Sequence, residues 1–164
     1  MDRCQRENYK WWVFAAVALG TLTSVINNGS VIVAVPTIAQ HFGTDLSTVQ
    51  WVVIAEGLTV SALLLPMGRL SDIVGRKQVY VAGLIIFIVA AALAGMSPNI
   101  ADLIVFKGMQ GIGAAMTQGT GLAMVTSVFP ASERGKGIGT HASVVGTGGV
   151  IGPVAGGFLV VALG

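Results

Sequence analysis

Charge is what this sequence has least of. Nine of its 164 residues are Lys or Arg and seven are Asp or Glu, 10% in all, against about 25% in an ordinary soluble domain. Hydrophobic residues make up 54%, and the mean hydropathy is +0.81. A soluble chain must keep enough polar surface to face water, so a soluble globular fold is excluded and a lipid surrounding is implied. Cysteine occurs once, at Cys4, which rules out an internal disulfide framework. Cys4 is read as a free thiol ahead of the first apolar run, with palmitoylation as the alternative. The histidines, His41 and His141, sit at the edges of apolar runs on opposite sides and are read as solvated or structural. The sequence shows no nucleophile–base pair, no clustered metal ligands and no nucleotide loop. An enzyme, a metal site and a cofactor are therefore not expected, nor is a nucleic-acid partner.

What the chain does have is five apolar segments, at residues 11–36, 51–70, 79–97, 102–129 and 138–163. Each is near the ~20 residues needed to cross the hydrocarbon core. The fold expected is an all-α membrane protein with about five transmembrane helices, forming one partial domain over residues 1–164. Arg3, Arg6 and Lys10 precede the first segment in the manner of a signal peptide. That segment is far longer than the ~7–15 residues of a signal-peptide core, so it is read as a retained span. The connections are short, so consecutive helices run antiparallel. Besides those three cations, Arg69, Arg76 and Lys77 flank the second connection, and Arg134 and Lys136 lie in the fourth. The first and third connections carry no Lys or Arg. Eight cations thus share one side, which places that side and the N-terminus in the cytoplasm. Trp11, Trp12, Trp51 and Tyr80 fall at segment ends, where amphipathic rings prefer to sit.

Three stretches depart from plain apolarity. The second connection reads Gly68-Arg69-Leu70-Ser71-Asp72-Ile73-Val74-Gly75-Arg76-Lys77. It is a tight turn in which Asp72 can accept from helical N–H groups or pair with Arg76, and it also fits an ordinary positive-inside turn. In the fifth segment Gly148, Gly152 and Gly156 recur every four residues, which makes a smooth ridge for close helix packing. Pro153, followed by Gly156 and Gly157, removes a helical hydrogen bond there. A phosphate loop is excluded, because no Gly-Lys-Ser/Thr follows. In the fourth segment Lys107, Gln110, Ala114, Thr117 and Gly121 share a helical face. That face is read as lining a cavity, with polar glue between helices as the alternative.

Together these stretches resemble the N-terminal part of a major facilitator superfamily transporter. The second connection is similar to the superfamily signature G-x-L-[AS]-D-x-x-G-R-[RK], and the fifth segment to the G-x-x-x-G-P-x-x-G-G of its drug:proton antiporters. The fourth resembles R-x-x-Q-G-x-G-A-A, and Val33-Ala34-Val35-Pro36 resembles N-V-A-L-P. The likeness covers nearly the whole chain and looks closest to the fourteen-span antiporters. It implies that Gly68, Asp72, Gly75, Arg76 and Lys77 form a cytoplasmic gate. Four departures stand out. Asn27 falls where the family's aspartate is common, Lys107 replaces its arginine, and Glu56 replaces an aromatic residue. Finally, the sequence ends at Gly164, before a sixth span.

Glu56 and Lys107 are the charges well inside the apolar segments, and each needs a partner or a wet cavity. Glu56 lies five residues inside Trp51, and Lys107 five inside Asp102, both ~8 Å deep. Asn27 precedes Pro36 by nine residues, ~14 Å deep. Glu56 and Lys107 are therefore expected to meet, with Asn27 and Gln110 beside them as a proton-coupling or substrate cavity. The leading function is the N-terminal part of a proton-coupled multidrug or small-molecule exporter in the inner (plasma) membrane. Its partners would be the bilayer, a small-molecule substrate, protons, and the missing C-terminal half or another membrane protein. The alternative is a truncated, non-transporting protein whose glycine ridge packs against a partner. Cysteine labelling on a Cys4→Ser background tests the orientation. Positions near Asp45 and Asn99 should react from outside, and those near Lys77 and Arg134 only from inside.

Overall fold

The computed structural model describes the backbone of residues 3–163 and the side chains of residues 10–162. The Cys4 thiol and the side chains of Arg3 and Arg6 lie outside the described residues, as does Gly164. The described chain forms five helices and no strand: α1 Arg3–Phe42, α2 Leu46–Val74, α3 Arg76–Gly95, α4 Ile100–Val128 and α5 Arg134–Leu163. Each helix begins before its apolar segment. α1 runs on through Pro36, and the connection expected between residues 37 and 50 shortens to a turn at residues 43–45. Lipid supplies no hydrogen-bond partners, so the backbone stays helical until it meets water.

The turns are set by a few residues. Asp45 caps α2 and accepts from the Ser47 hydroxyl, the Thr48 hydroxyl at 2.8 Å and the Thr48 amide at 3.3 Å. Those bonds, from Ser47 first and then Thr48, hold its carboxyl down at about 2. Asn99 caps α4, with Oδ1 accepting from the Asp102 amide at 2.8 Å. Between α2 and α3 a single residue, Gly75, makes the whole turn at φ 118°, a conformation that other residues rarely adopt.

α4 is the centre of the bundle. It packs along both α2 and α3 and also touches α1, while α5 leans chiefly on α1. The close approaches are built on glycine. A Cβ on Gly113 would lie 2.6 Å from the carbonyl oxygen of Gly83 and from the amide nitrogen of Phe87. One on Gly111 would lie 2.8 Å from the Glu56 carbonyl, and one on Gly119 2.8 Å from the Leu64 carbonyl. The ridge read in the fifth segment faces α1. Gly148 meets Val25, Gly152 meets Ile26 and Gly29, and Gly156 meets Ser30. The numbers rise together, so α1 and α5 run parallel. Gly157 is off that line, with only Val33 at 3.9 Å. Pro153 is inside α5 and packs on Gly29.

By length and composition α1, α2, α3 and α5 can cross a membrane. α4 has the length, at 29 residues, but not the apolarity. Of the five segments read as spans, the fourth is thus the least apolar. α4 is wrapped by other helices and buries Lys107, Gln110, Thr117 and Thr120, so it does not need a lipid-facing surface all round. It lies against α2 from Gly111–Thr59 to Gly119–Gly68 and so traverses the same layer.

Two apolar clusters close the bundle. Phe14, Val17, Tyr80, Val125 and Phe129 fill the cation-bearing end, where Trp11, Phe14 and Phe129 meet edge-on at 5.8–6.3 Å. Ala39, Val49, Val52 and Leu103 fill the other. Tyr80 corrects its expected place in an interfacial belt. It is 4% exposed, and its hydroxyl, over Gly20, donates toward the Ala16 and Val17 carbonyls at 3.3 Å. Outside the first cluster, Lys10 Nζ meets Glu133 at 2.8 Å and holds its carboxyl below the usual range.

Gly113→Ala tests the dependence on backbone contact. Its methyl must push α3 off α4, and a loss of about 1–3 kcal/mol is expected, read as a lowered unfolding temperature in detergent. Gly149→Ala, facing open space, should leave that temperature unchanged.

Candidate functional site

Between the two apolar clusters lies a polar one. Lys107 Nζ is 3.3 Å from Glu56 Oε2 and donates to Asn27 Oδ1 at 3.0 Å. Gln110 Nε2 donates to the same oxygen at 3.1 Å. Lys107 and Gln110, three residues apart on α4, share the face toward α1 and α2, because three residues nearly complete a helical turn. Gly111, beside them, lets α2 come close enough for Glu56 to reach Lys107.

Glu56 is 2% exposed, Lys107 4% and Gln110 fully buried, while Asn27 is half-buried. The four residues assigned together from the sequence are thus brought together, but they are enclosed within the bundle and only Asn27 reaches its edge. Gln110 Oε1 has no hydrogen-bond partner among the described residues. The rest of the α4 face divides between neighbours: Thr117 lies against Gly83 of α3, and Gly121 against Val17 of α1. The cluster carries one positive and one negative charge and no formal net charge. Removing either charge leaves the other in an apolar surrounding, where an unpaired ion is costly.

At the cation-bearing end, the residues that the resemblance assigned to a gate include a second polar group. Arg76 donates to Asp72 Oδ1 from Nε at 3.2 Å and from Nη2 at 3.0 Å. Its Nη1 donates to the Ala123 carbonyl of α4 at 2.8 Å. One guanidinium therefore ties the α2–α3 turn to α4, using a planar fork that lysine lacks. Gly68 lies 3.6 Å, measured from a built Cβ, from the Gly119 carbonyl. Gly68, Asp72, Gln118 and Leu122 line a crevice of ≈ 620 Å³ between α2 and α4. Lys77 is exposed and lines a second crevice of ≈ 530 Å³ with Trp12, Arg76 and Tyr80. His141 sits apart from both groups, with Nε2 3.2 Å from the Thr21 hydroxyl. Among the described residues no group of His, Cys, Asp and Glu is placed to hold a metal.

Two residues were passed over in the sequence. Asn28 and Gln118 are exposed amides within the helices. The signal available was their polarity inside apolar runs, masked by the neighbouring Asn27 and Thr117.

Long apolar helices enclosing a paired charge, with a basic turn locked onto a central helix, define a multi-pass membrane protein built as transporters are. The family model for the Major Facilitator Superfamily matches residues 17–164, and the chain belongs to that superfamily, its five helices forming part of the N-terminal half of the fold. It is 40% identical over 150 residues to a riboflavin transporter of Clostridioides difficile (strain 630), covering 92% of this chain and 33% of the relative. It is 32% identical to a multidrug transporter of Bacillus subtilis (strain 168), over 98% of this chain and 29% of the relative. To a puromycin resistance protein of Streptomyces alboniger it is 32% identical, over 92% and 30%. The chain spans about a third of the length of these relatives.

Lys107→Met should strand Glu56 and lower stability by about 3–5 kcal/mol, measured by thermal unfolding in detergent. Lys107→Met with Glu56→Gln should recover most of that loss. Equal losses for the single and double variants would show that the two side chains are not energetically coupled.

Proposed function

We propose that this chain is the N-terminal part of a proton-coupled exporter of small molecules that works by alternating access. Its cation-bearing side lies in the cytoplasm, and Glu56 is the proton-coupling carboxylate. The observation that carries this reading is the Glu56–Lys107 contact, 3.3 Å long and buried among apolar helices. Such pairs are costly to bury and mark ion pathways in membrane proteins. Protonation of Glu56 would cancel its charge and leave Lys107 held by Asn27 alone. The relation between α2, which carries Glu56, and α1, which carries Asn27, would then change. Superfamily transport proceeds by rocking of two halves around a midplane site, and a charge change at the α1–α2–α4 junction is well placed to bias that rocking. Asp72, Arg76 and the glycines beside them would hold the cytoplasmic side closed through the Ala123 contact.

Related transporters named for multidrug transport and for tetracenomycin C export support the export direction. The riboflavin transporter shares more identity and suggests riboflavin as a first substrate to try. The alternative, a protein acting only by helix packing, has less support, because α1 already occupies the glycine ridge of α5.

The test is made in a full-length transporter carrying this chain, reconstituted in vesicles. Glu56→Gln with Lys107→Gln removes both charges of this cluster and should fold. It should still exchange riboflavin down its gradient but lose accumulation driven by an imposed pH gradient. Undiminished proton-driven accumulation would remove Glu56 from the coupling role.

A further inference from the structure

α1 and α3 meet at Gly20 and part toward the cation-bearing end. A Cβ on Gly20 would lie 3.2 Å from both Leu84 Cδ2 and Tyr80 Cζ of α3. From that contact to the end of the bundle the two helices enclose a wedge-shaped crevice of ≈ 530 Å³. Trp12 and Ala16 of α1 form one wall, Val81 and Leu84 of α3 the other, and Met124 and Val128 of α4 the floor. The wedge opens at the level of Arg76 and Lys77 and closes at Leu84. Leu84 follows Lys77 by seven residues, so the wedge is ~10 Å deep. A helix crossing the layer needs a groove ~30 Å long, and this one stops far short of that. Its shape suits an apolar chain that enters from the interface and is held there by a polar head.

The mouth of the wedge is positive. Among the described residues its lining holds Arg76 and Lys77 and no carboxylate. Arg76 spends three N–H groups on Asp72 and the Ala123 carbonyl, but a guanidinium carries more than that. Among the described residues the exposed Lys77 ammonium has no partner. Trp12, 76% exposed, stands at the rim, and an indole prefers the headgroup level. The crevice between α2 and α4 differs in charge. It holds Arg69 with Asp72, one charge of each sign, and so offers an anion no net attraction.

We propose that the wedge between α1, α3 and α4 is a binding site for a phospholipid with an anionic headgroup. The phosphate sits between Lys77 and the remaining N–H groups of Arg76, and an acyl chain runs past Ala16 and Val81 toward Leu84. Apolar walls by themselves would take any lipid, so the two cations supply the selectivity. Basic pockets between transmembrane helices recognise acidic headgroups in this way. The lipid bears on the same guanidinium that ties the α2–α3 turn to α4, so leaflet composition reaches that contact. The site depends on the helices crossing a bilayer, and on neither the coupling role of Glu56 nor the direction of transport.

The test uses a full-length transporter carrying this chain, purified in detergent and titrated with phosphatidylglycerol or with phosphatidylcholine of the same acyl chains. Phosphatidylglycerol should raise the unfolding temperature saturably, whereas phosphatidylcholine and inorganic phosphate should not. Lys77→Gln should shift the phosphatidylglycerol midpoint about fivefold upward, the loss expected for one basic residue at a membrane surface. Arg134→Gln removes an exposed cation at the same end but outside the wedge, and should leave the midpoint within about twofold. Ala16→Phe or Val81→Phe, each at an exposed position, fills the wedge from one wall. Either should abolish the response while keeping the unfolding temperature measured without lipid. Equal responses to the two lipids, or to inorganic phosphate, would overturn the proposal. So would equal shifts in Lys77→Gln and Arg134→Gln, which would reduce the effect to diffuse charge. An unchanged response in both wedge-filling variants would overturn it as well, and would show that the lipid acts elsewhere. The measurement needs no substrate and no proton gradient, so its outcome is separate from that for Glu56.

Discussion

Backbone-to-backbone contact along α4 is the constraint on which the other features rest. At Gly111, Gly113 and Gly119 the neighbouring helices approach so closely that a methyl group would not fit. In lipid no hydrophobic force draws one apolar helix to another, so dispersion over such small-residue seams must hold the bundle together. The seams also set reach. Lys107 extends to both α1 and α2 because Gly111 has brought α2 in, and the same closeness seals the resulting ion pair from solvent. Replacing these glycines would therefore disturb the polar chemistry as well as the packing.

Much of this architecture was legible in the sequence because the signals were one-dimensional. Apolar length located the helices, the distribution of Lys and Arg grouped their ends, and equal depths of Glu56 and Lys107 foretold their meeting. Two kinds of information were not legible. Tyr80 looked like an interfacial ring because its depth was readable but its direction was not. Only the space over Gly20 shows that it turns inward. The face containing Lys107, Gln110, Ala114, Thr117 and Gly121 read as one cavity wall, yet a helix surrounded on most sides has no single inside. Thr117 went to α3 and Gly121 to α1. Asn28 was missed for the same reason, since adjacent amides look equivalent until the neighbouring helices are known.

The charge arrangement also separates two regions of the bundle. The Glu56–Lys107 pair is enclosed among the helices and shielded from the surface. Arg76, at the start of α3, meets α4 far from that pair by donating to the Ala123 carbonyl. The ion pair and the Arg76 contact therefore both bear on α4 at separate heights, and a small shift of this helix would be felt at each.

The unequal apolarity of the helices bears on how the protein is made. α4 carries a lysine, a glutamine and several threonines that are comfortable only when other helices cover them. Presented to a bilayer by itself, it would partition poorly, because each such group carries an insertion cost. Its principal companions, α2 and α3, come earlier in the chain, so they emerge first during synthesis and can stand ready when α4 arrives. The order of the helices in the sequence is then also an order of assembly, with the hairpin of α2 and α3 serving as a template for the helix least able to enter the membrane by itself.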